Sequence, residues 1–203
     1  MNDKKHFDYM GYYRKIRFLM EHIGLVKYHR SMIAFCEKYF NNGYNLENKN
    51  GVVGVEIGCR LGSNALQIMK RLHVDTLYLI DPFEPYDDTE AYTLKQQQMF
   101  YDKFIKNIEP YKDKIVFFKD YSYNVIDRIP DNLDFCYIDG AHFYKEVLKD
   151  ISLYYPKIRS DGVIGGHDWN WKGVASAVLD FCREQGLYDD LHGLDPDWWL
   201  VKK

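Results

Sequence analysis

Apolar, β-branched runs alternate with helical stripes along this chain. Val52, Val53, Val55 and Ile57 make a short run that reads as a strand buried on both faces. It ends at Glu56-Ile57-Gly58, passes a tight turn over 58–62, and gives way to Ala65, Leu66, Ile68 and Met69 on one helical face. Ser63 or Asn64 is placed to cap that helix. Residues 76–81 and 114–118 read as two further strands, separated by a polar, aromatic stretch that holds a loop and one helix with Phe100, Phe104 and Ile108 inward. The stretch 133–142 holds a fourth strand that delivers Asp139 at its carboxyl end, and 145–151 reads as an amphipathic helix. Ser160-Asp161-Gly162 turns into a fifth strand that ends at Asp168. A helix over 173–181 follows. Leu187-Tyr188 and residues 198–201 read as a closing hairpin around the turn 195–197. Ahead of all this, Ile16, Leu19, Met20 and Ile23 form one helical stripe, and a second helix spans about 31–40. Strands alternating with helices predict an α/β fold with a mostly parallel sheet.

Several of these strands deliver an acid at the carboxyl end, where open α/β sheets bind ligands. The first turn reads Glu56-x-Gly58-x-x-x-Gly62. It is neither the dinucleotide pattern G-x-G-x-x-G nor a phosphate loop. An acid before the first glycine would repel a pyrophosphate and suits a cationic amino group. Asp81 closes the second strand and is placed to accept from two ribose hydroxyls; the plainer reading is a cap on the turn at Pro82. Asp139 and Asp168 end two strands that, if adjacent, bring both carboxylates into one cleft beside His142 and His167. Such a set suits a divalent cation, Mg²⁺ or Mn²⁺. Tyr86, Asp87, Asp88 and Tyr92 lie in a stretch that reads either as a substrate lid or as a solvated loop.

Composition narrows this picture. At 203 residues the chain holds one sizeable core and is too short for two full domains. A net charge of -3 gives no reason to expect a nucleic-acid partner. With 18 Tyr and 4 Trp, many rings must line a cleft or the surface, which suits sugars, flat rings and sulfonium cations. Cys36, Cys59, Cys136 and Cys182 contain no C-x-x-C pair, so reduced thiols and a cytoplasmic setting are expected. No apolar run approaches the ~20 residues of a membrane span, and the first ten residues lack a signal-peptide core. Arg14, Lys15, Arg17, Lys27 and Arg30 read as the solvated face of a helical cap; docking to a membrane or acidic glycan is the sharper alternative.

The motif Glu56-x-Gly58-x-x-x-Gly62, with Ile138-Asp139-Gly140-Ala141-His142 and Gly165-Gly166-His167-Asp168, resembles the class I S-adenosylmethionine (SAM) dependent methyltransferases. The likeness covers roughly residues 50–203. It is nearest to the small metal-dependent O-methyltransferases that act on sugars of macrolides, aminocoumarins and surface glycans, and more distant from catechol-type enzymes. It implies a Rossmann-like three-layer sandwich, with a mostly parallel seven-stranded sheet and a C-terminal antiparallel hairpin. It also implies an N-terminal helical cap over 1–45 and a methyltransferase domain over 46–203. In that reading Glu56, Gly58, Gly62 and Ser63 hold the methionine end of SAM, Asp81 the ribose, and Asp120 with Ser122 the adenine. Asp139 borders the cofactor and, with Asp168, binds the metal. His142 acts as general base, with His167 as alternative base or third ligand. Two departures stand out: Ala141 replaces an acid of the aminocoumarin enzymes, and His167 and Trp169 flank the last aspartate.

The expected acceptor is a sugar hydroxyl. The competing readings are a catechol-like O-methyltransferase, a nicotinamide-dependent oxidoreductase, and a non-catalytic module that keeps the fold. The missing G-x-G-x-x-G and the terminal hairpin count against the oxidoreductase. Oligomeric state stays open.

Overall fold

The structure, a computed structural model, describes residues 30–41, 51–85, 93–194 and 196–203. The expected helix over 16–23, the rest of the basic segment before Arg30, and Tyr86, Asp87, Asp88 and Tyr92 lie outside the described residues. Seven strands form one sheet: β1 (Val52–Ile57), β2 (Val74–Ile80), β3 (Ile115–Phe118), β4 (Leu133–Ile138), β5 (Ile158–Gly166), β6 (His192–Leu194) and β7 (Asp197–Val201). Their order is β3-β2-β1-β4-β5-β7-β6. The first five run parallel, while β7 pairs antiparallel with both β5 and β6. The order reverses between β1 and β4, and that switch point opens a crevice at their carboxyl ends.

Six α-helices among the described residues cover the two faces. On one side α1 (Ser31–Asn41), α2 (Ser63–Arg71) and α3 (Leu94–Ile108) contribute Met32, Ile33, Cys36, Phe40, Ala65, Ile68, Phe104 and Ile108 to a core cluster. On the other, α4 (Ser122–Val125), α5 (Tyr144–Tyr154) and α6 (Lys172–Gln185) contribute Val125, Val147, Ile151, Tyr154, Val174, Ala177, Val178 and Phe181. The strand period of two divides β4 between them: Cys136 and Ile138 face one cluster, Phe135 and Tyr137 the other. This is the Rossmann-like sandwich expected. No helix among the described residues is long and apolar enough to cross a membrane.

Four local expectations change. Ser63 and Asn64 do not cap α2. Its N-cap is Gly62, left-handed at φ 74°, whose carbonyl accepts from Leu66 N at 3.0 Å. Residues 160–162 do not precede β5 but lie within it as a bulge. The register jumps from Leu133↔Ile158 to Phe135↔Val163, because Asp161 N donates to Lys202 O at 2.7 Å and Lys202 N to Gly162 O at 2.9 Å. Leu187-Tyr188 is not the hairpin's first strand. Gly186, at φ 68°, ends α6, Leu187 N closes it on Cys182 O, and β6 begins only at His192. Arg30 is not on a solvated face: it is 7% exposed.

Candidate active site

A cleft of about 1070 Å³ opens at the carboxyl ends of the parallel strands. It is lined by Glu56, Gly58, Asp81, Ser122, Asp139, His142, His167 and Asp168 among others. Its floor is the turn after β1. Gly58 stands at φ 85°, and a Cβ there would lie 2.1 Å from the Asp139 carbonyl oxygen. That proximity lets the ends of β1 and β4 meet: Asp139 N donates to Ile57 O at 2.8 Å. Gly58→Ala is therefore expected to lose more than about 2 kcal/mol of stability, read by urea unfolding, since both the left-handed backbone and the contact oppose it.

Asp81 holds this turn from β2. Oδ2 accepts from Cys59 N and Arg60 N at 2.8 Å each, and Oδ1 accepts from Phe83 N at 2.8 Å. The turn-capping reading of Asp81 is thus realised while its carboxylate still faces the cleft. Gly62 and Asp120 do not line the cleft. Gly62 ends the turn. Asp120 turns back on its own loop, accepting from Tyr121 N at 2.7 Å and Asn124 Nδ2 at 2.8 Å. Ser63 is exposed at the cleft wall.

Glu56 is fully buried. Oε1 accepts from Asn64 Nδ2 at 3.2 Å, whereas Oε2 has no hydrogen-bond partner among the described residues. Burial is the main cause that pushes its pKa up to about 8; the Asn64 bond opposes this and the Asp139 charge adds to it. An acid so placed at the edge of a cleft is short of a cation. The sequence placed Asn64 only as a cap candidate, and its bond to Glu56 was missed. The signal was a polar residue beside Ala65 on the buried face of α2.

The second centre lies at the ends of β4 and β5. One ligand atom each from Asp139, His142 and Asp168 falls within 4.8 Å of the others. His142 Nε2 is 2.7 Å and His167 Nδ1 3.0 Å from Asp168 Oδ2, and His167 Nδ1 is 3.6 Å from Asp139 Oδ1. His167 Nε2 is buried without a hydrogen-bond partner among the described residues. Asp168 adopts φ 57°, a left-handed conformation that aims its carboxylate between the two imidazoles. Burial raises the Asp168 pKa, but the bonds and charges of both histidines outweigh it and hold the carboxyl well below its usual range. Burial lowers the His142 pKa, but Asp168 and Asp139 together lift it above the ordinary imidazole value.

Behind Asp139 runs a buried polar chain that sequence reasoning missed. Arg30 Nη2 pairs with Asp139 Oδ2 at 2.9 Å, and Arg30 Nη1 donates to the Tyr137 hydroxyl at 2.9 Å. Tyr137 Oη donates to Asp197 Oδ1 at 2.9 Å, and Met32 N donates to Asp197 Oδ2 at 2.9 Å. The Asp139 end of the cleft is thus tied to the start of α1 and to the terminal hairpin. On the opposite arm, Ser122 is buried and its hydroxyl donates to Asp150 Oδ1. Asp150 also lines the cleft, and burial chiefly raises its pKa to about 6.

A family described as a methyltransferase domain matches residues 55–169. An uncharacterized protein of Acanthamoeba polyphaga mimivirus is 28% identical over 130 residues; the match covers 62% of this chain and 55% of that protein, so the chain spans about half of that relative's length. Among solved structures, the O-methyltransferase NovP aligns with a TM-score of 0.62 at 17% identity, over 84% of this chain and 78% of that one. The methyltransferase MycE of the mycinamycin biosynthetic pathway, in complex with Mg and S-adenosylhomocysteine (SAH), aligns with a TM-score of 0.53 at 16% identity, over 87% of this chain and 51% of that one.

Proposed function

This chain belongs to the methyltransferase-domain family, with the class I SAM-dependent fold, and from that premise we propose that it transfers a methyl group from SAM to a sugar hydroxyl of a glycan or glycosylated small molecule, assisted by a divalent cation. One observation carries the reading. A buried carboxylate oxygen without a partner, Glu56 Oε2, and the Asp139–His142–Asp168 group open into the same cleft. The first fits the ammonium of the donor's methionine end. The second offers two hard carboxylate donors, Asp139 and Asp168, suited to Mn²⁺ or Mg²⁺, with the His142 imidazole beside them. SAM supplies an electrophilic methyl on a sulfonium, and a cation at the acceptor end lowers the pKa of a hydroxyl it chelates.

The chain's own residues then do three things. Glu56 pairs with the donor ammonium and Asp81 faces the ribose, while the turn that Asp81 braces keeps the cradle open. Asp139 and Asp168 fix the acceptor end, with Arg30 holding Asp139 by Oδ2 and leaving Oδ1 toward the cleft side of His167. His142, or His167 beside it, takes the proton as the acceptor oxygen forms its bond to carbon and the carbon–sulfur bond breaks. Since displacement at the methyl is in-line, positioning supplies much of the rate. Mg in the MycE complex and the O-methylation named for NovP support the finer reading. The four free, buried cysteines support a reducing, cytoplasmic setting. Residues 1–45 are read as a helical cap on a catalytic domain over 46–203.

The test is a methyl-transfer assay with labelled SAM and Mn²⁺ or Mg²⁺ against free and glycan-linked deoxysugars and catechols, read by mass. Methylated sugars are expected. Methylation of catechols alone would move the acceptor to the catechol class.

A further inference from the structure

A permanent cation already holds one acid of the metal corner. Arg30 Nη2 lies 2.9 Å from Asp139 Oδ2, and a guanidinium does not give up its charge inside a protein. The guanidinium is locked from behind. Its Nη1 donates to Tyr137 Oη, and its central carbon lies 5.5 Å from the Tyr137 ring centroid. Tyr137 donates in turn to Asp197, which Met32 N also holds. Arg30, Tyr137 and Asp197 are all buried, so swinging the guanidinium away would leave Asp197 and Tyr137 inside without their cation. With Oδ2 taken, Asp139 has Oδ1 alone to offer the cleft. Asp168 is likewise engaged through Oδ2, by His142 Nε2 and His167 Nδ1. Single carboxylate oxygens beside an imidazole match a small cation that keeps about six ligands. They match Ca²⁺ poorly, because Ca²⁺ takes up to about eight oxygens and readily binds both oxygens of one carboxylate.

We propose that Arg30 selects the ion: by occupying Asp139 Oδ2 it restricts this carboxylate to one ligand oxygen, and so favours Mn²⁺ or Mg²⁺ over Ca²⁺. This rests on the divalent-cation reading above. Arg30 is a positioning residue, since it acts through Asp139, and Tyr137 and Asp197 hold it in place. Its loss has two effects that separate. The negative charge left uncompensated at the corner strengthens the hold on either divalent ion alike. The freed Oδ2 favours Ca²⁺ alone, because only the larger ion gains from a second oxygen of the same carboxylate. The ratio of the two affinities therefore reports the restriction, and the Mn²⁺ affinity by itself reports the charge.

The experiment is titration of the full chain with Mn²⁺, followed by the electron paramagnetic resonance signal of the free ion, and then competition with Ca²⁺. It reads both affinities without turnover. The wild type is expected to prefer Mn²⁺ by roughly 100-fold. In Arg30→Met that preference should narrow by roughly tenfold, the scale of one interaction with a charged group, while Mn²⁺ itself binds no more weakly than in the wild type. Arg30→Lys, whose ammonium still meets Oδ2, should keep the wild-type ratio. Should Arg30→Met not fold by circular dichroism, Tyr137→Phe takes its place: it keeps the ring and removes the hydroxyl that holds Nη1, and it should narrow the preference by a smaller factor. A wild type that binds the two ions equally, or a wild-type ratio kept in the folded variant, overturns the role of Arg30. Weaker Mn²⁺ binding at an unchanged ratio makes Arg30 merely structural and overturns it as well. Wild-type protein that binds neither ion overturns the divalent-cation reading itself, and this inference with it.

Discussion

Glu56→Gln is expected to lose most SAH binding while making the ligand-free protein more stable near pH 8. The carboxylate is fully buried, and Oε2 waits without a partner at the cleft. Removing one member of a buried, hydrogen-bonded charge pair costs about 2–5 kcal/mol of affinity, or roughly 30- to 5000-fold in Kd. The stability effect has the opposite sign. The folded pKa is raised to about 8, far above the usual carboxylate value. Between roughly pH 4.5 and 8 the folded state therefore keeps a proton that the unfolded chain has released. Wild-type stability should fall as pH rises through that window and level off above it. Gln carries no such proton, so its advantage over wild type should grow from pH 5 to pH 8. Thermal melts at pH 5, 6.5 and 8, with calorimetry for SAH, check both halves. A variant that binds SAH like wild type would remove Glu56 from the donor site.

Asp168→Asn should separate the two centres. Its carboxylate joins both imidazoles, and the cation assistance proposed for it is of the order of several kcal/mol, so turnover should drop by roughly three orders of magnitude. SAH affinity should stay within about threefold of wild type, because Glu56 and the turn after β1 are untouched. Asn is the informative replacement. It tolerates the left-handed backbone that Asp168 adopts at φ 57°, so lost activity reports the lost charge rather than a strained loop. EDTA should reproduce the defect in the wild type, with Mn²⁺ or Mg²⁺ restoring activity; neither ion should rescue the variant. Full turnover in Asp168→Asn, or indifference to EDTA, would take the metal out of the chemistry.

The strands were legible because burial on both faces demands continuous apolar runs, and β1 (Val52–Ile57) and β4 (Leu133–Ile138) lie within the stretches that read as strands. Glu56, Asp139 and Asp168 stood out because each lies at the carboxyl end of such a run, and the structure brings all three to the cleft. Elements set by pairing rather than by pattern were not. β6 is a three-residue exposed strand whose existence depends on β7 beside it. The bulge in β5 depends on Lys202, distant in sequence.

The sequence by itself determined that this is an α/β sheet with acids at its ligand-binding edge, since local apolar periodicity and turn chemistry act within a few residues. Only the tertiary structure decided which acids the cleft sees. Asp120 caps its own loop while Asp150, paired with Ser122 across 28 positions, faces the cavity. Arg30 reaches Asp139 across 109 positions, and no short-range pattern distinguishes a buried guanidinium from a solvated one. The reason is physical: where a polar side chain goes depends on the partner that offsets its desolvation, and these partners come from other layers of the fold.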